Sequence, residues 1–257
     1  MIGDRENIIK LEKLNSTNEY ALSLYRSNAA LREGTVIITD NQTAGKGLDK
    51  NRWESEPGKN LTFSVCLFPH FLPVEKQFEL NKALSLGIYD FVRETIPDEK
   101  VTVKWPNDIY INDEKVAGIL INNTIKGDVL DFTVAGFGIN INQTEFYSDA
   151  PNPVSLIKFT GKELSLEESL DKINKKLNVR YEQLWASRFS QLDSDYLKSL
   201  YLFNKTHTFG FGGGTVEAKI TGISEYGHLQ LITSRGKKLE CDLKEISFRL
   251  SDDYSAI

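Results

Sequence analysis

Lys104-Trp105-Pro106-Asn107-Asp108 sets a lysine beside a large apolar ring and a proline and follows them with a compact polar pair. That grouping suits a point charge held rigidly in a partly dry site, where a fixed cation stabilises negative charge far better than it does in water. Alone, the string would equally suit a surface turn between two strands. A second lysine follows in Lys115-Val116-Ala117-Gly118-Ile119-Leu120, and the loop Gly45-Lys46-Gly47 lies upstream. Lysines and glycines in this order describe an anion site built from positioned charge and backbone N–H groups.

Two common nucleotide fingerprints do not fit that loop. A P-loop needs a glycine five positions before its glycine-lysine pair and a hydroxyl residue after it, and those places hold Asp40 and Gly47. The third glycine of the dinucleotide pattern falls on Lys50. Gly136-Phe137-Gly138-Ile139-Asn140-Ile141-Asn142-Gln143 ends a strand, and its asparagines suit either turn capping or donation to a ribose or phosphate. Gly212-Gly213-Gly214 reads as a turn. His70, His207 and His228 are scattered without metal-ligand spacing, so no protein-bound metal is expected. The lysines remain the chemical candidates.

The elements that must position them follow from periodicity. Ser16-Thr17-Asn18-Glu19 has capping-box spacing ahead of Tyr20, Ala21, Leu24 and Tyr25, which predicts a helix from near Thr17. Residues 35–39 and 61–67 read as buried strands, with the irregular loop 40–47 at a strand end. Residues 78–96 read as a long helix that stops before Pro97-Asp98. Short apolar runs at 101–104, 109–111, 116–121 and 129–137 read as antiparallel hairpins. Residues 164 to about 203 read as helix, and from Asn204 alternating strands through Arg249 predict a small barrel. The expected division is residues 1–203 and 204–257.

Composition bounds the partners. The chain has 257 residues, 40% of them apolar, and a net charge of −5, which argues against bulk nucleic acid as the main partner. Its start carries no apolar run that could serve as a secretion signal, and no stretch reaches the ~18 apolar residues of a membrane span. A cytoplasmic protein is expected, with Cys66 and Cys241 reduced and Cys66 a buried strand residue rather than a nucleophile.

Ser16-Thr17-Asn18, then Gln42 to Trp53, Lys104 to Leu120 and Gly136 to Gln143, in this order and spacing, resemble the biotin protein ligases. The resemblance implies an α+β catalytic domain, with a mixed, largely antiparallel sheet related to class II aminoacyl-tRNA synthetases, and a C-terminal SH3-like β-barrel. It implies two steps: the biotin carboxylate attacks the α-phosphate of ATP, and a lysine of a biotin carboxyl carrier domain of a carboxylase then attacks biotinyl-5′-AMP. Mg²⁺ enters on the ATP phosphates.

On the family pattern Lys104 and Lys46 are catalytic, with Lys104 bridging carboxylate and α-phosphate. Ser16, Thr17, Asn18, Gln42, Gly45, Lys46, Gly47, Lys104, Gly118, Leu120, Gly136 and Gly138 form the biotin pocket. Lys50, Arg52, Trp53, Asn107, Lys115 and Asn140 meet the adenylate. Lys46 stands where arginine is more usual, Asn122 where glutamate often follows, and Leu48 where many members carry an arginine that closes over the intermediate. The short segment before Ser16 implies a ligase without the DNA-binding domain of the repressor members, acting as a monomer or weak homodimer. Lipoate or octanoate attachment on the related fold is one alternative; a biotin sensor without turnover is another.

Overall fold

The computed structural model describes residues 1–48, 51–148 and 150–248. Its larger sheet takes β1 (Ile8–Leu14), β2 (Thr35–Gln42), β3 (Leu61–Leu67), β4 (Val101–Lys104), β5 (Asp108–Ile111), β6 (Glu114–Lys126) and β7 (Val129–Ile139) in the order β1-β2-β3-β7-β6-β5-β4. β1 runs parallel to β2; every other pair is antiparallel. β1 is an addition to the elements expected from sequence. It is an edge strand of half-buried and exposed residues, so it lacks the continuous apolar run that marks a central strand.

Both faces of this sheet are covered, and the period of two decides which residue faces which way. On one face Val36, Ile38, Phe63, Val65 and Leu67 join the main core with α2 (Gln77–Thr95), α4 (Leu166–Trp185) and α5 (Phe189–Ser199). A four-residue helix, α3 (Ile157–Thr160), lies between α2 and α4 in the chain. On the other face Ile37, Cys66, Phe132 and Val134 pack against Ala21 of α1 (Thr17–Arg26). Ser16 caps α1 by accepting from the Glu19 N–H at 3.4 Å. Cys66 is fully buried, which pushes its thiol up to about 12 and leaves it inert.

The helical reading of 164–203 needs correction. It is two helices, broken at Ala186-Ser187-Arg188, where Ser187 takes the left-handed conformation at φ 53° and Ala186 N–H bonds back to Glu182. No glycine or proline marks the break. Arg180 then ties the layer together, donating to Asp90 of α2 at 2.7 Å and to Asp195 of α5 at 2.6 Å.

The tail is a second, five-stranded antiparallel sheet: β8 (Thr206–Phe211), β9 (Gly214–Ile223), β10 (Leu229–Thr233), β11 (Lys238–Cys241) and β12 (Ile246–Phe248), ordered β11-β10-β9-β8-β12. Arg249, where the expected strands end, lies outside the described residues. Gly212 and Gly213 sit at φ 59° and 80° between β8 and β9, a two-residue hairpin turn that only residues tolerating positive φ can make. The tail docks directly behind Lys104. The buried Trp105 indole donates to the Gly227 carbonyl at 2.8 Å, Gly227 lies against the Phe78 ring, and Lys76 pairs with Glu225. Trp105→Phe removes that donor and is expected to cost about 1–2 kcal/mol. Faster amide exchange in residues 206–248 than in β3 and β7 would report it; equal exchange would show that the tail is held elsewhere.

Candidate active site

Along β7 the residues facing α1 shrink towards one end: Phe132 and Val134 pack with Ala21 of α1, Gly136 lies under Asn18 in its first turn, and Gly138 continues the row under Trp53. Sheet register sets Leu120 and Ser64 beside Gly136, and Gly118 and Thr62 beside Gly138. A side chain at Gly136 would collide with Asn18, and one at Gly138 would fall within the Trp53 ring. The glycines therefore clear a floor on which Asn18 and Trp53 lie against backbone. Above that floor is a cavity of about 380 Å³.

One end is a buried polar chain. Thr17 donates to Gln42 Oε1 from its N–H at 2.9 Å and from its hydroxyl at 3.3 Å. Ser64 Oγ lies 2.7 Å from Thr17 Oγ1 and donates to Asn18 Oδ1 at 2.6 Å. Asn18 Nδ2 donates to the Leu120 carbonyl at 3.0 Å and to Asn122 Oδ1 at 3.2 Å. Asn122 thus has a role as a second anchor for Asn18. Buried polar groups fixed in this way present donors and acceptors in a set pattern, which suits a small ligand of matching polarity.

The other end is cationic. Across the sheet one row reads Gly138, Gly118, Asp108, Lys104. Lys115 Nζ pairs with Asp108 at 2.7 Å, and it lies against Gly118 beside the Trp53 ring, 5.8 Å from that ring's centroid. Lys115 is therefore the ammonium over the floor. Lys104 stands two strands from Gly118. Among the described residues its ammonium makes one hydrogen bond, donated to the Tyr110 hydroxyl at 3.0 Å. Burial pushes the Lys104 pKa down, and Asp108 partly offsets this. The Tyr110 phenol, pushed up to about 12 mainly by burial, stays protonated.

Residues 45–48 and 51–53 pair with each other: Lys46 is bridged to Arg52, Gly47 N–H donates to the Asn51 carbonyl at 2.8 Å, and Trp53 N–H donates to the Gly45 carbonyl at 3.0 Å. Lys46 pairs with Glu19 of α1, so its charge is turned to the helix. Leu48 and Arg52 line the cavity. Two lining residues keep a buried polar atom without a partner, Trp53 Nε1 and Asn107 Oδ1; the Asn107 amide nitrogen donates to the Ile119 carbonyl. Such orphaned atoms in a cavity wall suit a ligand.

Of the residues expected at the site, Ser16, Thr17, Asn18, Gln42, Lys46, Gly47, Arg52, Trp53, Lys104, Asn107, Lys115, Gly118, Leu120, Gly136 and Gly138 all line this one cavity. Lys50 lies outside the described residues. Gly45 and Asn140 are not in the lining. Gly45 packs under Trp53, 2.7 Å separating its would-be Cβ from the Trp53 carbonyl. Asn140 is buried and donates to the Val154 carbonyl at 3.1 Å, so it fastens a loop. Sequence reasoning missed the tail lining residues Leu243, Ile246, Ser247 and Phe248, and behind the lining Ser64, which bonds to Asn18, and Tyr110, which accepts from Lys104. Ser64 did carry a signal, since a serine inside a wholly buried strand needs a partner.

The family model of the biotin/lipoate A/B protein ligases matches residues 11–140. The chain belongs to that family. It is 28% identical over 246 residues to the bifunctional ligase/repressor BirA of Bacillus subtilis, an alignment covering 91% of this chain and 71% of that protein. It is 29% identical over 219 residues to the biotin–[acetyl-CoA-carboxylase] ligase of Mycobacterium tuberculosis, covering 84% and 79%. The structure of the biotin protein ligase from Aquifex aeolicus in complex with biotin and ATP matches with a TM-score of 0.78 at 27% identity, over 96% of this chain and 100% of that one. That likeness runs through the tail sheet as well as the catalytic sheet, so this family member shares the whole two-sheet architecture.

Proposed function

We propose that the protein adenylates biotin with MgATP and transfers the biotinyl group to a lysine of a carrier domain of a biotin-dependent carboxylase. One observation carries the reading: a single cavity has a fixed polar chain at one end, two lysines at the other and a glycine-cleared floor between them. A cyclic urea presents N–H donors and a carbonyl acceptor, which the Gln42, Thr17, Ser64 and Asn18 chain can match. The apolar tail of biotin then runs along the floor beside Trp53 and carries its carboxylate to the cationic end.

The row of residues argues for a different division of labour between the lysines than the family pattern implied. Lys115 is met first from the polar end and takes the carboxylate; Lys104, farther along, takes the α-phosphate, with Arg52 and Asn107 beside it. Lys46, held by Glu19, steadies the loop rather than the reacting atoms. Nucleophile and phosphorus are thereby brought together by cations on both partners, and charge growing on the phosphoryl oxygens is met by fixed positive charge. Mg²⁺ arrives with the triphosphate as part of the substrate and neutralises it; Asp108, the carboxylate among the described lining residues, is committed to Lys115.

ATP–pyrophosphate exchange driven by biotin, lipoate or octanoate tests the reading. Exchange with biotin alone supports it. Exchange with lipoate moves the substrate to the other branch of the family, and tight biotin binding without exchange makes the protein a sensor. Because only protonated Lys104 attracts phosphate and burial holds its pKa low in the free protein, ATP affinity is expected to fall as pH rises through that lowered value, by up to ~10-fold per pH unit. An affinity that stays flat with rising pH up to the ordinary lysine range of about 10.4 would remove Lys104 from the phosphate.

Leu48 brings no charge to the cavity, so the adenylate is held by fewer cations than an arginine there would allow. Leu48→Arg is expected to slow release of biotinyl-AMP about 10-fold; unchanged release would show that Leu48 faces no part of it. The division at 203/204, a monomer or weak homodimer, action in the cytoplasm and no DNA partner complete the proposal. The net charge of −5 supports the last of these. Among the described residues, no helix is long and apolar enough to cross a membrane.

A further inference from the structure

The tail sheet reaches the cavity through one strand end. β12 supplies Ile246, Ser247 and Phe248, and the preceding turn supplies Leu243. The Phe248 ring centroid lies 5.2 Å from Lys104 Nζ, and the Tyr110 centroid lies 5.0 Å from the same atom. Lys104 is thus walled by two aromatic rings, one from the catalytic sheet and one from the tail. Phe248 is itself fixed: it pairs in register with Phe209 of β8, the rings meet edge to face at 5.4 Å, and Tyr201 lies 6.3 Å away on another side.

We propose that Phe248 is a positioning residue for the adenylation step, a tail-sheet ring that with Tyr110 strips water from the Lys104 ammonium and aims it into the cavity. This rests on the reading of Lys104 as the phosphate lysine. A ring face attracts an ammonium while replacing part of its hydration shell, and a less hydrated cation pulls harder on a phosphoryl oxygen. The arrangement also makes the reaction depend on tail docking, because Trp105, next in sequence to Lys104, is the residue bonded to Gly227.

The charged groups around Lys104 leave Phe248 as the adjustable wall. Asp108 is spent on Lys115, Lys46 is spent on Glu19, and Arg52 is a further cation of the lining. The tail's described lining residues, Leu243, Ile246, Ser247 and Phe248, carry no charge. Since burial outweighs Asp108 at Lys104, letting water reach the ammonium raises its pKa.

The test compares Phe248→Leu and Phe248→Tyr in the full chain. Lys104 is followed by NMR titration of ¹³C-labelled lysine, assigned with Lys104→Arg, alongside the pH profile of ATP–pyrophosphate exchange. Phe248→Leu is expected to lower kcat about 10-fold, to leave KM for biotin within about twofold, and to move the Lys104 titration and the alkaline limb upward together. Phe248→Tyr, which keeps the ring, restores all three. An unmoved Lys104 titration overturns the proposal, as does a tyrosine variant no better than leucine. So does a loss shared equally between kcat and biotin binding, which is the signature of an undocked tail expected of Trp105→Phe. Absence of exchange in the unsubstituted protein with every acid tried would defeat the proposed function, yet the titration would still decide whether Phe248 governs Lys104.

Discussion

Lys115→Met is expected to lower biotin-dependent ATP–pyrophosphate exchange by about 1000-fold while leaving the fold intact, because it deletes the ammonium that lies on the glycine floor. Methionine keeps most of the volume, so the loss reports charge rather than packing. The partner carboxylate Asp108 is left facing the cavity unpaired, where it repels an incoming carboxylate and weakens biotin binding as well as turnover. Lys104→Met is expected to act differently, with about a 100-fold loss carried by KM for ATP and by kcat and little change in biotin affinity. Burial disfavours this ammonium, so its removal is expected to cost the ligand-free protein little stability despite the lost Tyr110 hydrogen bond. Isothermal titration with biotin, exchange kinetics and urea denaturation separate these cases. Near-normal exchange in Lys115→Met together with abolished biotin binding in Lys104→Met would return the carboxylate to Lys104, as the family pattern by itself implied.

Gly138→Ala is expected to weaken biotin binding about 30-fold, equivalent to ~2 kcal/mol, although it adds a single methyl group. The new Cβ would fall within the Trp53 indole, whose far side is cavity, so the ring has one direction in which to move, and that direction fills the space a ligand needs. Trp53→Ala in the same chain should relieve the clash, so the double variant binds better than the two separate losses predict. Additive losses would mean that Trp53 does not rest on Gly138 in solution. Stability is a separate readout: Gly138 is on a central strand, and a Tm drop without a change in binding would mark the residue as structural only.

Much of this site was legible because its parts are contiguous. Ser16 to Asn18 declares a helix start and a polar cluster at once, and the glycines at 118, 136 and 138 mark places where backbone is approached closely. Other parts needed space to become visible. Asn140 by itself reads more readily as a turn cap than as a ligand, and the partner of its amide, the Val154 carbonyl fourteen residues on, is not visible in the local spacing. The helix after Leu164 reads as one because Ser187 is an unremarkable residue in a left-handed conformation that tertiary packing imposes. Phe248 is an ordinary apolar residue in a short strand, and its importance lies in what stands 5.2 Å away, a lysine 144 positions earlier in the chain.

By itself, the sequence determined the family, the mixed two-sheet architecture, and the set of lysines, glycines and asparagines from which a site is made. It could do so because residue types at fixed short spacing are a local property of the chain. Which lysine lies over the floor was decided by the tertiary structure alone. Strict alternation along β6 would turn Lys115 away from the face that Gly118 occupies, but β6 and β5 shift register between the Ile109–Ala117 and Tyr110–Lys115 pairs, and Val116 is the extra residue. That bulge buries Val116 in the core and swings Lys115 onto the cavity side. A one-residue slip in pairing is a through-space event between strands, and it moves an ammonium from one face of the sheet to the other.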